Sequence, residues 1–311
     1  MCRFGKMNTF GRHIRFTDFG ESHGPAVGGV LDGIPSQVII DTDAIRHDLD
    51  RRAGRTGDLI VSDRAKNEHD DIEWLSGVIY DHRQLVSLGS PIAFIIRNTD
   101  ARSEDYENLK DTYRQGHADL AYEIKYGIRD YRGGGRASAR ETAARVVAGS
   151  IAKQLLAQKG IHIEAQLCQV GDVTDPQQFL SVLRQMQQEG DSVGGVIQCR
   201  INGVPAGIGE PIFDKLQAQL AYAVMSINGC KGFEYGEGFA TALRHGSERY
   251  DSGGIVGGIA DGHTITFRCA FKPTATIAKL YGGRHDVCIA VRAVPVVEAM
   301  TALTLADLMS T

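Results

Sequence analysis

YRGGGRASARETAARVVAGS, residues 131–150, runs three glycines and two arginines into what reads as a helix. Ser138 and Glu141 stand in S-x-x-E spacing, the pattern of a capping box. Ala143, Val147, Ala148, Ile151, Leu155 and Leu156 then recur at helical spacing. Lys159-Gly160 supplies a stop. The spacing therefore predicts a helix over 138–158, reached through a glycine turn. A helix N-terminus exposes unpaired N–H groups and attracts anions. Arg132, Arg136 and Arg140 cluster around this one, and glycine lets a ligand come close to the backbone. The stretch reads as an anion site; a plain helix start with solvated arginines is the simpler alternative.

Other readings of the same residues fail. Gly133-x-Gly135-x-x-Ser138 lacks the third glycine of a dinucleotide fingerprint and follows polar sequence instead of an apolar strand. The P-loop pattern is absent. An RNA-binding RGG tract is repeated and disordered, whereas this single copy runs into an ordered helix. The net charge of −4 also speaks against a nucleic-acid partner.

Outward from this stretch, strands are expected at 27–33, 72–80, 90–98, 161–173, 192–206, 263–273 and 287–294. Helices are expected at 42–52, 117–127, 176–190, 211–227 and 295–309, the last with Pro295 in its first turn. Several strands follow one another without a crossover helix. That points to an α/β chain of α+β type with antiparallel sheets, not a doubly wound parallel sheet. GGVLDGIP (28–35) and GGVIQCRINGVP (194–205), each followed by a helix, hint at an internal duplication. No linker divides the 311 residues, so one domain over 1–311 is expected.

Composition, with 42% apolar and 23% charged residues, is that of a soluble globular protein. No apolar run reaches the roughly 18 residues of a membrane span. The N-terminus lacks a signal-peptide pattern, so a cytoplasmic protein is expected, with Met1 or Met7 as its start. Six scattered cysteines without a C-x-x-C pair argue against structural zinc and a disulfide framework, and no metal site is expected. Arginine outnumbers lysine 24 to 10, a bias that suits bidentate recognition of carboxylates and phosphates.

The stretch at 131–150 also resembles the central signature of the chorismate synthase family. TDFGESHGPAVGGVLDGIP (17–35), GHADLAYEIKYGIRDYRGGGR (116–136), GVPAGIGEPIFDKL (203–216), MSINGCKGFEYGEGF (225–239), FKPTATI (271–277) and GRHDVCIAVRAVPVVEAM (283–300) match in order. The resemblance implies a helical layer between two antiparallel β-sheets and a homotetramer. It implies conversion of 5-enolpyruvylshikimate 3-phosphate to chorismate by anti 1,4-elimination of phosphate. Reduced FMN is the implied cofactor, with NADPH a candidate reductant. His23 matches the histidine that protonates the reduced flavin, and His117 the one that protonates the leaving phosphate. Asp286 matches an aspartate that relays a proton, with Ser22 as its partner. Arg136, Ala137, Ser138, Asn228, Gly229, Gly257, Lys272, Pro273, Thr274, Ala275, Thr276 and Arg284 match flavin contacts. Arg51, Arg52, Arg132 and Arg140 are the expected partners of the substrate's anionic groups.

The bland readings are a helix N-cap contact for His117 beside Asp119, an ion pair with Arg284 for Asp286, and a solvated helix end for Arg51 and Arg52. The loops at 249–252 and between KPTATI and GRHD are shorter than the family's. After Arg52 the usual continuation is replaced, leaving Arg55 as the nearest further arginine. A flavin-independent phosphate-ester enzyme and a flavin-binding homologue without turnover are the alternatives to the synthase reading.

Overall fold

The computed structural model describes residues 8–56, 60–61, 68–101, 103–281 and 285–310. Its helices are α1 (Thr42–Ala53), α2 (Asp119–Tyr126), α3 (Thr142–Ala157), α4 (Pro176–Glu189), α5 (Leu216–Met225), the single turn α6 (Ala278–Tyr281) and α7 (Ala290–Leu308). One antiparallel sheet orders its strands Thr9–Phe10, Arg15–Gly20, Ala26–Asp32, Ile92–Arg97, Ile72–Ser76. A second orders Cys230–Tyr235, Ile265–Phe271, Gly195–Asn202, His162–Val170, again antiparallel. The two stretches that hint at duplication become interior strands, one in each sheet.

Helices α3 and α7 form the layer between these sheets. They pack side by side, α3 against Ala26–Asp32 and α7 against His162–Val170 and Gly195–Asn202. Gly149 permits the contact: a Cβ there would stand 2.3 Å from Ala299 Cα. The arrangement is the expected helical layer between antiparallel sheets. Apolar residues at both sheets' inner faces and along α3 and α7 make one continuous core.

Local chemistry sets several boundaries. Asp41 caps α1 by accepting from Asp43 N and Ala44 N, and Gly54 closes it in a left-handed conformation. Asp175 and Gly190 do the same for α4. Three expectations are corrected. The run 72–80 is not one strand: Gly77, at φ +79°, breaks it, and Val78–Asp81 joins a small separate sheet with Gln84–Ser87 and Ile39–Ile40. The run 287–294 is not a strand either. It opens α7, with Pro295 inside that helix instead of in its first turn. An apolar run buried on all sides carries no periodicity to separate strand from helix. The expected helix at 211–227 starts only at Leu216.

A buried carboxylate ties the layer together. Glu298 of α7 receives Arg51 of α1 at 2.7 and 2.8 Å, Lys153 of α3 at 2.8 Å, and the N–H of Ala165 at 3.0 Å. At the far end of α7, Asp307 accepts the backbone N–H groups of Arg12, His13 and Ile14 at 2.6–3.0 Å.

Candidate active site

Residues 131–141 do not form the simple capped start that their spacing predicts. Gly133, Gly134 and Gly135 all adopt left-handed φ, +61°, +88° and +53°. Two 3-10 turns, Gly135–Ala137 and Ala139–Glu141, precede α3. Ser138 Oγ accepts from Arg140 N at 3.4 Å, but the box stays half made. The Ser138 N–H already donates to Gly135 O, and Glu141 is buried against Arg145 at 2.8 Å.

The glycines are there because two imidazoles pack on them. A Cβ at Gly133 would stand 2.2 Å from His23 Cε1, and one at Gly134 would stand 2.7 Å from His117 Cε1. His23 is buried with Nδ1 3.0 Å from Ser22 Oγ, and its ring meets Tyr106 edge-on at 5.0 Å. His117 precedes α2, its Nδ1 2.9 Å from Asp119 Oδ1 and 3.1 Å from Arg114 Nη2. Arg114 also grips Asp119 at 2.8 and 2.9 Å. Burial opposes charge on Asp119, yet hydrogen bonds from His117 and Arg114 hold its carboxyl well below the usual carboxylate range.

Both histidines line a cleft of about 560 Å³, within the usual size of a small-molecule site. Ala137, Ser138 and Arg140 of the glycine turn also face it, as do Asn228 and Gly229. Asn228 Nδ2 donates to the carbonyls of Ala137 and Ser138 at 3.1 Å, which fastens those two segments together. The segment Lys272, Pro273, Thr274, Ala275, Thr276 lines the cleft too, and Asp286 completes the predicted set. Asp286 pairs with Arg292 of α7 at 2.6 Å; Arg284 lies outside the described residues.

Other predicted residues are not on the cleft wall. Ser22 stands behind His23. Arg136 holds Asp18 at 2.9 Å, Arg132 holds Asp130 at 2.9 Å, and Arg51 serves Glu298. Gly257 is in the exposed turn of the hairpin Ile255–Val256, Ile259–Ala260. Arg52 is buried, with Nε on Thr142 Oγ1 at 2.9 Å. It borders a second cavity of about 10 Å³, shared with Asn228 and Arg292, enough for a single water. Arg140 faces the cleft but is bound to Asp70 and, at 2.9 Å, to Asn98. Arg114, Lys231 and Arg292 line the cleft without having been singled out in the sequence. Arg114 sits three residues before His117, so the local text carried a signal for it. Arg292 lies in the 287–294 run, whose apolar pattern suggests a strand and whose helical form alone turns it to the cleft.

The cleft suits a ligand that joins a phosphate to an apolar ring. Thr274 Oγ1 is buried on the cleft wall with no hydrogen-bond partner in the protein, so a ligand or water in the cleft can take its hydrogen bond. Lys231 and Lys272 bring positive charge, while Ala137, Ala275 and Ile289 offer apolar surface. Among the described residues no group of three His, Cys, Asp or Glu is placed to hold a metal ion.

The chorismate synthase family model matches residues 14–310. A chorismate synthase of Christiangramia forsetii is 45% identical over 350 residues, covering 96% of each chain. One of Parabacteroides distasonis is 45% identical over 354 residues, covering 97% of each. Those alignments are longer than the 311 residues here, so the relatives carry residues this chain lacks. A solved structure, "Crystal Structure of Chorismate Synthase", superposes with a TM-score of 0.75 at 30% identity, over 96% of this chain and 92% of that one.

Proposed function

Since the chain belongs to the chorismate synthase family, and is thus a carbon–oxygen lyase acting on phosphate, we propose that it converts 5-enolpyruvylshikimate 3-phosphate to chorismate. The reaction is an anti 1,4-elimination of the 3-phosphate and a C6 hydrogen, and it requires reduced FMN. The observation that carries this reading is the packing of His23 and His117 on one glycine turn, beside the KPTAT segment, in one cleft.

Ala137, Ser138, Asn228, Gly229 and Lys272 to Thr276 would hold the FMN. When bound, the reduced flavin supplies electron density to the ring carbon that loses phosphate. The chain's own residues position the ligands, exclude water and control protons. His117 Nδ1 donates to Asp119 Oδ1 at 2.9 Å, and its Nε2 edge lies against Gly134. A proton held at Nε2 is therefore the one available to the departing phosphate oxygen. His23 has Nδ1 on Ser22, which fixes the ring at the cleft wall, where it would exchange a proton with the bound ligand. Asp286 accepts from Arg292, which sets its carboxylate on the cleft wall as a proton acceptor.

The wider reading is of one catalytic domain that assembles as a homotetramer. Phe213, Phe239 and Leu243, at 89%, 87% and 84% exposure, offer apolar surface for subunit contacts. A cytoplasmic setting is supported by the free thiols of Cys168, Cys199, Cys230, Cys269 and Cys288. An outside reductant, with NADPH as one source, keeps the flavin reduced.

An anaerobic assay with 5-enolpyruvylshikimate 3-phosphate and dithionite-reduced FMN tests the reading, following chorismate absorbance and phosphate together. Both products are expected, and neither with oxidised FMN. Phosphate without chorismate would indicate a flavin-independent phosphatase. FMN binding without either product would indicate a homologue that has lost turnover.

A further inference from the structure

The cations on the cleft wall divide into two kinds. Arg114, Arg140 and Arg292 each hold a carboxylate of this chain: Asp119 at 2.8 Å, Asp70, and Asp286 at 2.6 Å. Lys231 and Lys272 hold none among the described residues. The Lys272 ammonium donates to the carbonyl of Gly116, and Lys231 is exposed at the cleft.

Their placement follows from strand pairing. Cys230 lies opposite Phe271 and Gly232 opposite Ala270, so Lys231 is the extra residue of a β-bulge. Bulges re-aim side chains and recur beside active sites. Lys272 directly follows Phe271, and its N–H donates to Gly229 O at 3.0 Å. The bulge thus brings a second ammonium to the strand end where Lys272 already stands. Burial, together with the charge of Lys231, pushes the Lys272 ammonium below the usual lysine range. Two like charges without a counter-charge from the chain are stabilised by a dianion between them. Thr274, two residues on, lines the same cleft, and its buried Oγ1 has no partner in the protein.

We infer that Lys231 and Lys272 form the seat of a phosphate monoester, and that Lys231 is a ligand-binding residue. This rests on the functional reading above, which offers two such groups: the flavin phosphate and the substrate 3-phosphate.

The test compares the full chain with Lys231→Met and Lys231→Arg. Binding of FMN and of riboflavin, the same ring without phosphate, is read by fluorescence quenching; the KM for substrate is read from turnover. The Met variant is expected to lose roughly tenfold toward one phosphate-bearing ligand, with riboflavin unchanged and the Arg variant restoring most of the loss. Weakened FMN identifies the flavin phosphate; a raised KM with FMN untouched identifies the substrate phosphate. A Met variant with wild-type FMN binding and KM overturns the inference. So does an equal loss toward FMN and riboflavin, which reports a distorted cleft. If the wild-type chain binds neither FMN nor substrate, the functional reading fails by itself. Inorganic phosphate then decides the seat: thermal stabilisation of wild type but not of Lys231→Met upholds it, and an equal response removes it.

Discussion

Asp18 and Glu141 are both buried, and no N–H or O–H of another residue reaches Asp18 Oδ2 or Glu141 Oε1. Arg136 reaches Asp18 at 2.9 Å; Arg145 reaches Glu141 at 2.8 Å and Asp18 at 3.7 Å. Burial, then the hydrogen bond and charge of Glu141, push the Asp18 carboxyl up to about 8. Burial opposes the charge of Glu141 as well, but Arg145 and the shared hydrogen bond keep its carboxyl low. The two carboxyls thus favour sharing a proton, held chiefly on Asp18. The folded chain keeps that proton where an unfolded aspartic acid has lost it, above about pH 4. This contribution to stability is complete in acid and is lost as pH rises toward about 8. Relative to Asp18→Asn, the wild-type folding equilibrium constant is expected to fall close to tenfold per pH unit between about pH 5 and 7. Urea denaturation of both proteins across that range checks this; parallel profiles would refute it.

The glycine turn is an element whose shape is set by what it touches. Gly133→Ala would press a methyl group onto His23 from 2.2 Å. We expect kcat/KM to fall about a hundredfold, the scale of a small misplacement of a reacting group, while circular dichroism stays that of the folded chain. A variant of full activity would detach His23 from this turn. Elements with local signals were legible in the sequence: α1 and α4 announce themselves through Asp41 and Asp175 and end at Gly54 and Gly190. α7 was not, because residues buried on every side show no face. The turn was legible as a glycine-rich entry to α3, and it lines the cleft, but the commitments of its arginines were not legible. Asp18 and Asp70 lie 118 and 70 residues from Arg136 and Arg140. The bulge at Lys231 was equally hidden, since a bulge exists only relative to the strand it pairs with.

For the molecule as a whole, Glu298 is the polar centre of the helical layer. Burial disfavours its charge, but Arg51 and Lys153 hold its carboxyl below the usual range. Glu298→Gln leaves both cations only Asp48 as a shared carboxylate, 3.1 Å from Arg51 and 3.0 Å from Lys153. A loss of about 3 kcal/mol is expected, read as a lower urea midpoint; an unchanged midpoint would mean the layer stands on apolar packing alone. The position of α7 also governs how the fold is reached. The layer that both sheets cover includes residues 290–308, downstream of every strand in either sheet. Asp307, near the end of that helix, must find residues 12–14 at the other end of the described chain. A chain still emerging from the ribosome can pair its hairpins early and lay α3 on the first sheet, yet the second sheet waits with an oily face uncovered until α7 is synthesised. Closure is thus a late, long-range event, and the interval before it is when a nascent chain most needs a chaperone to keep it from its neighbours.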